Sequence, residues 1–331
     1  MDRSPLLIKA CRDRDQMASE ISKLASARRF PNRFFVLYQH DSPNEVAESN
    51  GWYAVAARFE ASAQTLLEWV LDERGSGVEA VLARLCLGGG LKDAYESREL
   101  NETLRPNEAI CDSLPPARQA RILAAVEKLS PLAEKYCNSC GFDARLIRTF
   151  LKSRRFDDVD ENLAAKGTHR CLSHGDLHGR NVLVDQRDMP VLVDPGSIEM
   201  LHWAMDLSRL IVDLLLSAWD DGPASFEWSA MEDWHAIAER VIVGDLPTNP
   251  TTSKNQRILR ALRWLRGKVW SVHPQLDAET TKWELQLAMS VELLRSSYRT
   301  DLTAPKRVLG LAAGCTGLRR AAESFDQVRS H

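Results

Sequence analysis

The stretch from Cys171 to Gly196, CLSHGDLHGRNVLVDQRDMPVLVDPG, crowds two histidines, an asparagine and several aspartates around two short apolar runs, Val182-Leu183-Val184 and Val191-Leu192-Val193. These polar residues are of the types needed for chemistry at oxygen. Asn181 and Asp194 both offer hard oxygen atoms. Such a pair suits Mg2+, which takes few protein ligands and leaves positions for water and substrate phosphates. Asp176 lies shortly before Asn181, in the loop entering the first apolar run, where its carboxylate can accept a proton from an incoming hydroxyl. The segment therefore reads as one general base beside one metal site.

These residues need a hairpin to hold them. NVLVD and PVLVD read as two short strands joined by polar turn residues around QRDM, with Pro190 tolerated at a strand start. In an antiparallel hairpin the first residue of one strand faces the last residue of the other, so the spacing predicts Asn181 opposite Asp194, roughly 5 Å away. Further on, DLSRLIVDLLL opens a helix at Asp206. Its apolar face is Leu207, Leu210, Ile211, Leu214 and Leu215, and an aspartate at its start reads as a good N-cap. Upstream, PLLIKA reads as a strand and RDQMASEISKLAS as a helix with Met17, Ile21 and Leu24 on one face. RFFVLYQ and GWYAVAARFE read as two more strands, separated by the turn-rich HDSPNEVAESN. From Ser62 the pattern turns helical through SAQTLLEWVLDE, PPARQARILAAVEKLSPLAEKY and DARLIRTFLKSRR. A helical tail is predicted over about 256–298, with Trp264, Trp270 and Trp283 packing a core.

With 331 residues, 44% hydrophobic and 27% charged, the chain has the make-up of a soluble globular protein of one large domain or two lobes. A net charge of −3 supplies no basic field, so nucleic acid is not an expected partner, and the arginines between Arg145 and Arg155 read as a solvated helix face. Seven cysteines, an odd number scattered along the chain, do not form a disulfide framework and fit a reducing cytoplasm. Cys137 and Cys140 form a lone CxxC with no second pair, and no metal or redox role is assigned to them. The N-terminus has too short an apolar stretch for a signal peptide, and the best apolar helix, near 207–219, is interrupted by Arg209 and Asp213. No membrane segment is expected, and the expected location is cytoplasmic.

His174-Gly175-Asp176-Leu177-His178-x-x-Asn181, followed by Asp194, resembles the catalytic and metal-binding loops of the aminoglycoside phosphotransferase and choline kinase superfamily. The resemblance implies an α+β fold, the two-lobed protein-kinase-like fold. Its β-rich N-lobe, residues 1–60, would be small and truncated, with strands and one helix but no Gly-rich loop. Its large helical C-lobe, residues 61–331, would contain the catalytic β-hairpin and the catalytic loop 172–196. The resemblance also implies Asp176 as catalytic base, Asn181 and Asp194 as Mg2+ ligands, and His174 as a brace of the loop. Asp206 would hold the loop backbone, a role weighed against a plain N-cap. His178 or Arg180 would neutralise a transferring phosphate, with His178 equally readable as a structural histidine. Lys9 would grip the nucleotide phosphates, Glu20 would orient it, and Phe59, Glu60 and Ala61 would form the hinge that holds the adenine edge.

The chain also departs from the pattern. Pro195 and Gly196 stand where protein kinases carry Phe-Gly. Eight residues precede Lys9, too few for a phosphate-covering hairpin, and LGGGL at 87–91 lies beyond the hinge and reads as a loop between helices. The expected function is an ATP- (or GTP-) and Mg2+-dependent phosphotransferase acting on a hydroxyl of a small-molecule acceptor. The alternative is a weakly active or inactive kinase-like module that binds a nucleotide or partner within a larger assembly, such as a bacterial signalling or defence protein. Carboxylates such as Glu284 and Glu292 are candidates for holding a cationic acceptor, weighed against solvated helix faces.

Overall fold

The computed structural model describes residues 6–15, 17–18, 47–58, 63–72, 77–88, 91–137, 140–154, 167–194, 198–217, 228–246 and 253–329. Near the N-terminus, β1 (Leu6–Cys11), β2 (Ala47–Ser49) and β3 (Trp52–Arg58) form an antiparallel sheet in the order β1-β3-β2. Asn50 and Gly51, with φ of 51° and 75°, connect β2 to β3. A two-residue hairpin turn that matches strand twist needs positive φ at both central positions, and Asn-Gly adopts it with least strain. The sequence reading placed all of HDSPNEVAESN in turn. The structure instead carries the pairing back to Ala47, because this local turn chemistry sets the register Ser49 opposite Trp52. The predicted strand RFFVLYQ and most of the predicted helix after Arg12 lie outside the described residues.

The helical body begins with β4 (Gln64–Thr65) and α1 (Leu66–Leu71), followed by α2 (Val78–Leu87), α3 (Leu91–Glu96), β5 (Arg98–Asn101), α4 (Pro106–Asp112), α5 (Pro116–Tyr136) and α6 (Ala144–Ser153). Gln64 and Thr65 were expected to open a helix. They pair instead with the hairpin, and Thr65 then caps α1 reciprocally with Glu68: its hydroxyl accepts from the Glu68 N–H at 3.2 Å and its own N–H donates to the Glu68 carboxylate at 2.9 Å. Then come β6 (Thr168–Ser173), β7 (Val182–Val184), β8 (Pro190–Leu192), β9 (Glu199–His202) and α7 (Met205–Ser217). The remaining helices are α8 (Met231–Val243), α9 (Ser253–Val272), α10 (Ala278–Ser296) and α11 (Ala304–Arg329). The predicted tail is thus two helices broken around Asp277, which caps α10. A further helix, α11, was not anticipated.

Two small sheets stand among these helices, ordered β4-β7-β8 and β5-β6-β9. The β7–β8 turn closes on Asp185, whose carboxylate accepts from the N–H groups of Arg187 and Met189, both at 2.8 Å. Arg84 of α2 holds the same turn by donating to the Asp188 carbonyl at 2.8 Å. The predicted apolar face of α7 is buried throughout, and Trp283 is buried while Trp264 and Trp270 pack against the core.

The deepest helix is α10, in which every residue from Trp283 to Leu294 is buried, including Glu284, Gln286, Ser290 and Glu292. Its packing against α11 depends on small residues. A Cβ on Gly310 would stand 2.8 Å from the Leu293 carbonyl oxygen and 1.9 Å from the Ser296 hydroxyl. Gly310→Ala should therefore destabilise the fold by about 1–3 kcal/mol, the usual cost of overpacking, net of the alanine helix preference. On α9, Gly267 is exposed and a Cβ there meets nothing within 4 Å, so Gly267→Ala should stabilise by roughly 0.5–1 kcal/mol. Urea denaturation of both variants checks this, and shifts of the same sign would remove close helix approach as the reason for Gly310.

Candidate active site

β6 leads directly into the loop from His174 to Asn181, and α7 holds that loop at both ends. The Asp206 carboxylate accepts from the N–H groups of His174 at 2.7 Å and Gly175 at 2.9 Å, and from the Tyr95 hydroxyl at 3.1 Å. Gly175 adopts φ of 75°, a left-handed conformation that presents its N–H to the carboxylate with no Cβ penalty. Since α7 begins at Met205, Asp206 lies inside its first turn, and it serves the loop instead of capping the helix. Its burial raises its pKa, and the three donors offset only part of that rise.

Two turns further along α7, Asp213 accepts from the Gly179 N–H at 2.9 Å. Between the two aspartates Arg209 forms an ion pair with Asp176 and another, at 3.2 Å, with Glu292 of α10. Glu292 also holds Arg295 at 3.2 Å. Arg209 and Asp213 had been noted only as interruptions of an apolar helix. Their spacing from Asp206, i, i+3 and i+7, was the available signal that they share one face with it.

His174 is fully buried and joins the loop to the end of the hairpin. Its Nδ1 accepts from the Asp176 N–H at 3.3 Å, which assigns the proton to Nε2, and Nε2 donates to the Val193 carbonyl at 3.0 Å. Asn181 is buried too, and its amide nitrogen donates to the Asp176 carbonyl at 2.9 Å, so Oδ1 is the atom that could face a metal. The hairpin register differs by one from the expected facing pair. Val182 lies opposite Leu192, and the Val193 N–H donates to the Asn181 carbonyl at 2.9 Å, so Val193 faces Asn181. Asp194 follows just beyond the paired strands with φ of 57°. The reason is that the five-residue turn held by Asp185 sets the pairing, and the sequence does not display that choice. The chemistry of the donors, an amide oxygen and a carboxylate on adjoining hairpin ends, fits a hard divalent cation with open positions. Among the described residues no cluster of three His, Cys, Asp or Glu could hold a metal by itself.

Asp176 lies on the wall of an open cavity of about 460 Å³ lined by α4, α5, β6, β9, α7 and α10. Burial alone would raise its pKa, but the neighbouring charges, Arg209 foremost, outweigh burial and hold the carboxyl below the usual aspartate range. His178 Nε2 lies 3.8 Å from Asp176 Oδ2, and its Nδ1 accepts from the Arg180 N–H at 3.3 Å. Burial pushes the His178 pKa down, so its ring is neutral near pH 7. Arg180 is exposed. Lys9 lies in β1 opposite Val55. Glu20, Phe59, Glu60, Ala61, Pro195 and Gly196 lie outside the described residues.

Glu284 and Glu292 are buried instead of solvated, and only Glu292 reaches the cavity wall. Glu284 accepts from the Trp203 indole at 2.6 Å and contacts His202 Nε2 at 3.0 Å, while Glu292 is held by Arg209 and Arg295. Both point inward because α10 is buried on all sides, which its sequence period did not convey. All seven cysteines are free thiols.

The profile of the phosphotransferase enzyme family (APH) matches residues 33–239, more than half of the chain, including the whole loop and hairpin. The chain belongs to this family. No curated protein sequence matches it. Similar solved structures include a glucosamine kinase in one crystal form, at 14% identity and a TM-score of 0.44, covering 92% of this chain and 69% of that one. A glucosamine kinase in complex with glucosamine, ADP and inorganic phosphate is similar at 14% identity and a TM-score of 0.41, covering 83% and 66%. A microcompartment-associated aminopropanol kinase follows at 12% identity and a TM-score of 0.36, covering 98% and 88%. No helix among the described residues is long and apolar enough to cross a membrane.

A carboxyl whose pKa falls on folding contributes stability above its unfolded pKa, and that contribution is lost only as the pH drops through the lower folded value. The Asp176–Arg209 pair therefore operates at neutral pH and dissolves in acid. Arg209→Gln should move the Asp176 titration midpoint upward, toward or past about 3.9, the ordinary aspartate value. Carboxyl-carbon NMR follows this directly, and an unmoved midpoint would remove Arg209 as the cause.

Proposed function

We propose that this chain is an ATP- and Mg2+-dependent phosphotransferase acting on a hydroxyl of a small-molecule acceptor. The observation that carries the reading is the Asp176 carboxylate, kept ionised on the wall of a cavity while both ends of its loop are anchored to α7. A residue in that position accepts a hydroxyl proton as the hydroxyl oxygen attacks a terminal phosphoryl group. His174 and Asp206 fix the loop backbone, so the carboxylate needs little reorganisation before the reaction. Asn181 and Asp194 would hold Mg2+, which neutralises phosphate charge when bound. Residues 1–60 are assigned to the nucleotide side, with Lys9 on the phosphates, Glu20 orienting it, and Phe59, Glu60 and Ala61 as the hinge. Residues 61–331 are assigned to the acceptor side. His178, a neutral ring beside the base, fits orientation better than charge neutralisation, and Arg180 is left as the candidate cation for the phosphoryl group.

One observation favours the alternative of weak or absent turnover: the Arg209 guanidinium already occupies Asp176 and lowers its basicity. A single pair of measurements separates the readings. Asp176→Asn should preserve nucleotide affinity and lower turnover by at least roughly a hundredfold, the scale of a lost general base. An unchanged residual rate would take Asp176 out of catalysis and favour the binding module. Asp194→Ala should abolish the Mg2+ dependence of nucleotide binding in isothermal titration with the fold intact, and retained dependence would refute the metal assignment.

A further inference from the structure

The acceptor cavity has an electrostatic character of its own. Four of its carboxylates are already engaged by this chain. Asp176 pairs with Arg209, Glu292 with both Arg209 and Arg295, and Asp112 with Arg154 at 2.8 Å. Asp206 is taken up by two backbone N–H groups and Tyr95. Glu199 stands at the exposed edge.

The cations are engaged less fully. Arg118, in the first turn of α5, and Arg170, on β6, both line the cavity half-buried. Among the described residues neither has a carboxylate partner. Arg118 donates to the Ser113 carbonyl at 3.5 Å and Arg170 to the Met200 carbonyl. The α5 helix points its N-terminal, positive end to the same wall, where Pro115 also lines the cavity, and its first turn holds no acidic residue. Burial, together with repulsion from Arg295 and Arg209, makes the charged form of Arg118 costlier, and attraction from Tyr298 and Glu292 offsets only part of that cost.

We infer that the acceptor carries, besides its hydroxyl, an anionic group, a carboxylate or a phosphate monoester, received between Arg118 and Arg170. This rests on the phosphotransfer reading for the hydroxyl and on the cavity alone for the anion. Guanidinium forks match the planar carboxylate and the phosphate in geometry as well as in charge. A cationic acceptor would meet carboxylates already neutralised and two arginines that repel it.

The test uses the full chain and four probes of similar size: glycerate, glycerol 3-phosphate, glycerol and 3-amino-1,2-propanediol. Binding is followed by isothermal titration with Mg2+ and ADP present, and phosphorylation by ATP consumption. The two anionic probes should bind at least tenfold more tightly than the neutral and cationic ones, and their order separates carboxylate from phosphate. Arg118→Gln and Arg170→Gln should each weaken anion binding by about tenfold or more, as for a lost charge-assisted hydrogen bond, while Arg118→Lys retains part of it. Thermal melts of the variants confirm that the fold is kept. Tighter binding of the cationic or neutral probe, or anion affinity unaltered in both glutamine variants, would overturn the inference. Loss of anion binding in the variants without any ATP consumption would uphold the anionic site and refute phosphotransfer instead. ATP consumption with the cationic probe alone would do the reverse.

Discussion

A single buried carboxylate, that of Asp206, organises the centre of this molecule. Desolvating an aspartate is costly unless donors replace its water, and here two consecutive backbone N–H groups and a tyrosine hydroxyl do so. In return the loop after β6 is held to α7 at the point where it must turn, with Gly175 in a conformation other residues avoid. Tyr95 is itself fixed by stacking on His273 at 4.9 Å between ring centres. Burial pushes His273 down to about 3, so the ring stays neutral and acts as packing in this layer.

From that anchor the polar face of α7 supplies the rest. Asp206, Arg209 and Asp213 project from one side of the helix, while Leu207, Leu210, Ile211, Leu214 and Leu215 are buried in the core. The same helix therefore sets the loop's start, the charge beside Asp176 and the loop's end. His174 extends the anchorage to Val193, coupling the base to the hairpin end that carries Asp194. Displacement of one of the candidate catalytic groups would have to carry the others with it.

Helix α10 supports α7 from behind. Its buried Glu284 ties down His202 and Trp203, immediately before α7, and its Glu292 fixes Arg209 and Arg295. Burying such carboxylates adds little net stability even when they are paired, but loss of either partner leaves an uncompensated charge. These pairs are better understood as fixing the geometry of the cavity wall. Glu292, on the cavity wall, is thereby already neutralised, and the inferred ligand chemistry of the cavity falls to Arg118 and Arg170.

Local sequence alone was enough to locate the loop from His174 to Asn181, the two strands after it, the apolar face of the helix near Asp206, and the helices α1, α5 and α6 of the central body. Each of these rests on short-range spacing, a period of two or 3.6, or turn residues at fixed offsets. What the sequence could not convey were the tasks of residues that act across the fold. Asp206 read equally as a holder of the loop backbone or as a cap, Arg209 and Asp213 read as blemishes in an apolar helix, and Glu284 and Glu292 as solvated or substrate-facing charges. Apart from Arg295 beside Glu292, their partners lie 31 to 111 positions away. The one-residue register of the hairpin was decided by the turn that Asp185 closes, and the charge of the cavity by which arginine reaches which carboxylate. A polar residue's type limits the interactions it can make, but only packing brings it to one partner and excludes the others, which is why tertiary structure alone decided those roles.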